Sequence, residues 1–216
     1  MALKKTAGMD MLRPRIRGFA MVRADFNEPF DLFASLLAEA RIREPSDPEA
    51  VTLATAAPDG TPSARMVLLR GNDGRGFVFF TNYDSRKGDE LFANPRAALC
   101  FHWKSIERQV RIEGRAEPVA AAEGDAYFAT RARESQLAAW VSDQSRELES
   151  GAVLEARFKE TERRFAGGAV PRPPRWSGFR VVPGRFEFWE GRPHRLHDRI
   201  FYVREGEGWR TGRLYP

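Results

Sequence analysis

Three groups of residues in this sequence have the types and spacing of anion ligands. The densest is Arg185 to Arg199, which reads Arg-Phe-Glu-Phe-Trp-Glu-Gly-Arg-Pro-His-Arg-Leu-His-Asp-Arg and holds two of the three histidines. Glu190-Gly191-Arg192-Pro193 supplies turn chemistry between two strand-like runs, Arg185 to Trp189 and Arg195 to Val203, so a β-hairpin is expected. Alternate residues of a strand share a face, which would put Arg195, His197 and Arg199 on one side and His194, Leu196 and Asp198 on the other. Three such groups on one face suit an anion; a solvated strand face explains the same pattern, and on this stretch alone both readings stand. Paired histidines are common metal ligands, but this spacing sends His194 and His197 to opposite faces and no third ligand cluster stands nearby. No metal is assigned.

The second group is Ser85-Arg86-Lys87, at the start of a short helical pattern through Leu91 and Phe92 that ends before Pro95. Ser85 is a good N-cap. Arg86 and Lys87 then fall in the first turn, where unpaired backbone N–H groups and the helix dipole already favour a phosphate. The third group is Tyr127, Arg131 and Ser135, four apart in a run from Ala120 to Trp140 that reads helical. That spacing stacks a phenol, a guanidinium and a hydroxyl along one helix face, a donor set suited to phosphate oxygens. A polar outer face accounts for either group taken by itself.

The elements that must position these groups are mostly strands. Asp25 to Arg43 carries Phe30, Leu32, Phe33, Leu36, Leu37 and Ala40 at helical spacing and reads as an amphipathic packing helix, with Asn27 or Asp31 as cap. Val51 to Ala56 and Ser63 to Arg70 flank the turn Pro58-Asp59-Gly60-Thr61-Pro62, and Asn72-Asp73-Gly74 turns into Gly76 to Thr81. Arg96 to Trp103 and Arg108 to Val119 follow, with Gln109 and Arg111 on one face of the second and Val110 and Ile112 on the other. His102 reads as a strand histidine with a structural hydrogen bond. After a loop through Gln144 and Ser145, Leu154 to Phe165 is helical, Gly167 to Pro174 is a connection, and Gly178 to Val182, Arg185 to Trp189, Ile200 to Arg204 and Trp209 to Leu214 complete the strands.

The chain has 216 residues, enough for one domain with a sizeable core. Hydrophobic residues make up 42% and aromatics 12%, which excludes disorder throughout. A net charge of +5 favours anionic partners without choosing among them. The lone Cys100 lies in an apolar run and reads as a buried hydrophobe, and the lack of an intrachain disulfide suits the cytoplasm. No apolar run approaches the length of a membrane span, so no membrane partner is expected. Residues 1–24 read as a basic, flexible arm and 25–216 as one domain. Aromatics are not interleaved with Lys and Arg as a base-stacking platform requires, so no nucleic-acid partner is expected.

Arg65-Met-Val-Leu-Leu-Arg70, Phe80-Thr81, Ser85-Arg-Lys87, Glu107-Arg-Gln109, Ser135-Gln136, Trp140-Val-Ser-Asp-Gln-Ser145, Trp176-Ser-Gly-Phe-Arg180, Glu187-Phe-Trp189 and Arg195-Leu-His-Asp-Arg199 occur in one order over residues 26–216. Together they resemble the pyridoxine/pyridoxamine 5'-phosphate oxidase family. The resemblance implies an α+β fold, mainly β with flanking helices: an FMN-binding split β-barrel, assembled as a homodimer with its sites at the subunit interface. Carried over position by position, it implies cofactor contacts at Arg65, Met66, Val67, Leu68, Leu69, Arg70, Phe80, Thr81, Arg86, Lys87, Gln109, Gln144, Ser145, Trp189 and Arg199. Gln109, Gln144 and Ser145 are candidates for contribution by the second chain. Substrate positions fall on Arg70, Tyr127, Arg131, Ser135, Arg195 and His197, with Tyr127, Arg131 and Ser135 taking the substrate phosphate and Arg195 and His197 facing the pyridine ring as the catalytic pair. The family's reaction moves a hydride from C4' of phosphorylated B6 vitamers to FMN, and O2 then accepts the electrons with release of H2O2.

Two positions depart from the family pattern, Arg70 where Lys is common and Phe80 where Tyr is common; Arg keeps the charge but changes shape and hydrogen bonding. In an ideal strand Arg65 and Arg70 face opposite ways, so both reach one ligand only if the strand bends or ends between them. The alternatives are a related flavoenzyme of phenazine-type biosynthesis, for which the phosphate-binding residues would be superfluous, and a non-catalytic carrier of pyridoxal phosphate.

Overall fold

The computed structural model describes residues 22–216. The expectation for residues 1–24 therefore lies outside the described residues, except at its end, where Val22–Ala24 forms a strand, β1. The other strands are β2 (Ala50–Ala56), β3 (Pro62–Leu68), β4 (Gly71–Asp73), β5 (Gly76–Asn82), β6 (Arg96–Trp103), β7 (Arg108–Pro118), β8 (Trp176–Glu190), β9 (Asp198–Glu205) and β10 (Gly208–Arg213). The helices are α1 (Glu28–Arg43), α2 (Arg86–Ala93), α3 (Ala121–Ala129), α4 (Arg133–Val141) and α5 (Gly151–Arg164).

All the pairings are antiparallel, in the order β1-β10-β9-β8-β7-β6-β2-β3, with β5 also on β8 and β4 on β5. Two strands share one edge of β8: β5 pairs its first part from Trp176 to Val181, and β9 its last part from Arg185 to Glu190. The sheet curls so that the end of β3 returns to β5, where the Arg70 N–H donates to the Val78 carbonyl at 2.8 Å. The result is a barrel split along β8.

β8 corrects the sequence reading, which has two strands separated at Pro183-Gly184. The strand runs through them because the ladder with β7 shifts register at Glu113/Gly114, opposite Pro183. A bulge is where a sheet tolerates proline. A Cβ on Gly114 would lie 2.1 Å from the Val182 carbonyl oxygen, so only glycine fits this approach.

α1 closes one side of the barrel. Phe30, Phe33, Leu37 and Ala40 are buried along its inner face. Phe33 meets Phe77 and Phe101 edge-on at centroid distances of 4.8 and 5.0 Å, and Phe30 meets Phe186 at 5.3 Å. Asn27 stands at the N-cap without a side-chain hydrogen bond, and Pro29 sets the first turn. Val110 and Ile112 are fully buried in β7, as their parity requires. Cys100 is half-buried rather than buried, and its surroundings push the thiol pKa up, chiefly by desolvation. His102 is exposed on β6, and its side chain makes no hydrogen bond among the described residues, contrary to the expected structural one.

Candidate functional site

A cavity of about 580 Å³ opens between the barrel and the α3–α4 pair, within the usual range for small-molecule sites. Met66, Val67, Leu68, Arg70, Phe80, Thr81 and Lys87 line the barrel side. Tyr127, Arg131 and Ser135 line the helical side, with Gln144 and Trp176 between.

Lys87 is the centre of the barrel side. Ser85 caps α2, its hydroxyl accepting from the Gly88 N–H, but Lys87 does not point outward as a first-turn cation would. It is buried, and its ammonium donates to Thr81 Oγ1 (3.2 Å), Ser85 Oγ (3.1 Å) and Gln144 Oε1 (2.8 Å). Burial, aided by the positive charge of Arg65 and opposed by Glu90, brings its pKa down to about 8. Gln144 thus reaches the cavity from its own chain. Its neighbour Ser145, at φ 71°, is exposed and outside the cavity lining.

Arg65 and Arg86 are also set differently from the expectation of free cations. Both bind Glu90, which is 6% exposed. Its Oε1 accepts from Arg86 Nε at 2.8 Å, and its Oε2 accepts from Ser63 Oγ at 2.6 Å, Arg65 Nη2 at 3.1 Å and the Thr55 hydroxyl. Burial raises the Glu90 pKa, but hydrogen bonds from Ser63, Thr55, Arg86 and Arg65 outweigh it and hold the group at about 2. A carboxylate held below its unfolded value stabilises the fold at pH values above that value, 4.5, and the contribution is lost as pH falls toward 2. Urea midpoints between pH 5 and 3 should therefore fall less in Glu90→Gln than in the parent chain; equal slopes would show that the carboxylate does not carry the effect.

On the helical side, the single helix expected from Ala120 to Trp140 is broken. The Thr130 hydroxyl donates to the Tyr127 carbonyl at 2.8 Å, and Ala132 is extended at the N-cap of α4. Ser and Thr side chains compete for helical carbonyls in this way. Tyr127 therefore sits on α3, Arg131 in the break and Ser135 on α4, yet all three line the cavity. Gln136 Nε2 braces the break by donating to the Phe128 carbonyl at 2.9 Å. Tyr127 stacks on Phe80 (4.0 Å), Phe80 stacks on Trp176 (5.4 Å), and the Arg131 guanidinium lies 4.7 Å from the Trp176 ring centre. Arg131 Nη1 is buried with no hydrogen-bond partner. Desolvation, the largest influence, lowers the guanidinium pKa. A cation held this way, short of one acceptor, is a ready anion ligand.

The remaining residues form a second cluster. Gln109 on β7, Trp189 on β8 and Arg199 on β9 stand in one row of the sheet, directly paired in register. Arg199 is fixed by buried Glu187, whose Oε1 accepts from Nη2 at 2.7 Å and Nε at 3.0 Å. Arg195 and His197 are not on the strand: β9 begins only at Asp198, and His194 and Arg195 occupy a 3₁₀ turn at φ 62° and 61°. The predicted shared face of Arg195, His197 and Arg199 is thereby corrected, since the turn residues do not obey strand parity. His197 instead lies over Trp189, ring centres 4.7 Å apart, and its Nδ1 accepts the Arg192 backbone N–H at 3.1 Å. Arg65 and Arg70 need no common face either, because β3 ends at Leu68 and Arg70 lies beyond it, in the cavity wall. Leu69 is buried.

Sequence reasoning missed three contributors: Asn82, Trp176 and Glu90. Asn82 lines the cavity and ties β5 to the Ser142 carbonyl at 3.1 Å. It directly follows Phe80-Thr81, and Trp176 opens the Trp176–Arg180 motif, so proximity was the available signal for both. Glu90 offered only its i+4 spacing from Arg86.

A curled antiparallel sheet split along one strand, with a cationic pocket at its rim, defines the split-barrel class of flavin-binding proteins. Residues 38–165 match the family model described as pyridoxamine 5'-phosphate oxidase, and residues 176–216 match the pyridoxine 5'-phosphate oxidase C-terminal dimerisation region. The chain is 62% identical over 190 residues to a pyridoxine/pyridoxamine 5'-phosphate oxidase of Sphingopyxis alaskensis, covering 88% of each. It is 57% identical to one from Gluconobacter oxydans, covering 88% of this chain and 94% of that one. Among solved structures it is similar to PhzG from Burkholderia lata in complex with tetrahydrophenazine-1-carboxylic acid, with TM-score 0.84 and 33% identity over 97% of this chain and 100% of the other. The chain belongs to the pyridoxine/pyridoxamine 5'-phosphate oxidase family. Among the described residues no helix is long and apolar enough to cross a membrane.

Proposed function

We propose that this chain is an FMN-dependent oxidase that converts pyridoxamine 5'-phosphate and pyridoxine 5'-phosphate to pyridoxal 5'-phosphate, with O2 as acceptor and H2O2 as by-product. The observation that carries the reading is the presence of two cationic stations in one cavity: buried Lys87 on the barrel side and half-buried Arg131, whose Nη1 is buried without a partner, on the helical side. An FMN phosphate and a substrate phosphate are the two anions this arrangement suits. Lys87, with Arg65 and Arg86 beside the start of α2, would hold the first; Arg131, Tyr127 and Ser135 would hold the second. FMN, when bound, supplies the hydride acceptor and passes the electrons to O2.

The chain's own work is then placement. Met66, Val67 and Leu68 give the cavity an aliphatic wall. Arg70 adds a cation beside the substrate. His197 presents Nε2–H as a donor to the substrate ring, because the Arg192 N–H occupies the Nδ1 lone pair. Arg195 lies on the same turn.

The second cluster belongs to the site of the other subunit. Trp176 lines the cavity and Trp189 lies thirteen residues further along the same strand, on the order of 40 Å at about 3.3 Å per residue. That length of strand favours giving its two ends to different ligands. A two-fold dimer does so by setting the Gln109–Trp189–Arg199 row of each chain against the cavity of its partner.

The similarity to PhzG favours a second reading, oxidation of a phenazine precursor. Steady-state H2O2 production distinguishes them. The proposed function expects turnover of pyridoxamine 5'-phosphate and little of unphosphorylated pyridoxamine or tetrahydrophenazine-1-carboxylic acid; the reverse preference would overturn it.

A further inference from the structure

Glu90 is the most heavily hydrogen-bonded carboxylate in the neighbourhood of the cavity, but it does not line the cavity itself. Like Arg65 and Arg86, which it hydrogen-bonds, it stands behind the lining residue Lys87. Its two oxygens divide the work: Oε1 takes Arg86 from its own helix, and Oε2 takes Arg65 from β3 together with Ser63 and Thr55. Arg65 is fixed further by Thr55 Oγ1 at 2.5 Å and the Leu53 carbonyl at 3.3 Å. Glu90 thus joins two elements at the place where both approach the start of α2.

The charge balance points the same way. Arg65, Arg86 and Lys87 are three cations around one helix start, and Arg65 is close enough to disfavour the Lys87 ammonium while Glu90 favours it. One carboxylate among three cations leaves a surplus of two positive charges, the complement of a phosphate dianion. Without the carboxylate, Arg86, whose side chain is 59% exposed, would lose its anchor and turn into solvent.

We propose that Glu90 is a positioning residue of the cofactor-phosphate clamp, tying Arg65 to Arg86 and matching the cluster's charge to a phosphate dianion. The proposal rests on the reading that FMN binds with its phosphate at the start of α2. A purely structural Glu90 would affect every flavin alike, whereas a clamp residue affects only flavins that carry a phosphate.

The test uses the full-length, flavin-stripped protein titrated with FMN and with riboflavin, which lacks the phosphate, following the quenching of flavin fluorescence. The parent chain should prefer FMN. In Glu90→Gln the Kd for FMN should rise about tenfold, the scale of one charge-assisted contact, while that for riboflavin stays within about twofold. Because Glu90 acts through Arg86, adding Arg86→Gln to Glu90→Gln should weaken FMN binding by less than the two separate losses combined. An unchanged FMN-to-riboflavin ratio, equal weakening of both flavins, or tighter FMN binding would each overturn the proposal. Should Glu90→Gln fail to fold, Glu90→Asp, which keeps the charge but shortens the reach, must show the same selective loss. A parent chain that binds both flavins equally, or neither, refutes the phosphate clamp itself rather than the part Glu90 plays in it.

Discussion

Arg131→Leu should lower kcat/KM for pyridoxamine 5'-phosphate by about 100- to 1000-fold while leaving FMN affinity within about twofold. A charge-assisted hydrogen bond contributes about 1.5–3 kcal/mol, and a guanidinium can make two to one phosphate. The free protein should lose little stability, because the residue removed has a buried Nη1 with no partner, and deleting an unsatisfied buried donor removes a desolvation cost. Leucine also keeps an apolar contact with Trp176, over which the guanidinium now lies. This combination separates a binding residue from a packing residue: a packing role predicts a lower melting temperature and a proportionate loss of all activities. Phosphate-free substrates sharpen the result. Turnover of pyridoxamine, however slow in the parent, should be nearly the same in the variant.

Two inactive variants should restore each other when mixed. Lys87→Ala damages the cavity half of the site, and Arg199→Ala damages the sheet half, where the guanidinium is held beside Trp189 by Glu187. Each alone should reduce activity by about 10- to 100-fold, the scale of one charge-assisted contact. If each site takes its cavity from one chain and its sheet row from the other, a mixed dimer concentrates both defects in one site and leaves its second site intact. Random mixing in equal amounts should then recover about a quarter of the parent activity, since half the dimers are mixed and each has one intact site. Sites built within single chains would recover nothing, because every site would keep one defect. The measurement is flavin-saturated activity after co-expression of two differently tagged variants.

Much of this arrangement was legible in the sequence because it depends on local rules. Alternation placed Val110 and Ile112 inward and Gln109 and Arg111 outward, and Ser85 marked the start of α2. The parts that were not legible depend on contacts between distant segments or on uncommon backbone conformations. Parity across Arg195 to Arg199 failed because His194 and Arg195 adopt positive φ, which side-chain-bearing residues seldom do and no sequence pattern signals. The break between α3 and α4 falls at Thr130–Ala132, where a threonine hydroxyl takes a helical carbonyl and neither glycine nor proline stands. Lys87 read as an exposed first-turn cation; its burial is set by Gln144, 57 residues away. β8 read as two strands because Pro183 and Gly184 resemble a turn, and only its pairing with a bulge at Gly114 carries it through. The positions of the site residues along β8 show most clearly what sequence omits: their types were readable, their separation into two clusters was not.

The claim that two phosphates are bound in one cavity, one on the cofactor and one on the substrate, is tested most directly by anaerobic mixing. The FMN-loaded protein is combined with pyridoxamine 5'-phosphate in the absence of O2 while the flavin absorption band is followed. The band should be lost with formation of one pyridoxal 5'-phosphate per flavin, with no comparable loss when pyridoxamine is added at the same concentration. A band that persists with the phosphorylated vitamer, or that is lost equally with both, would contradict that claim.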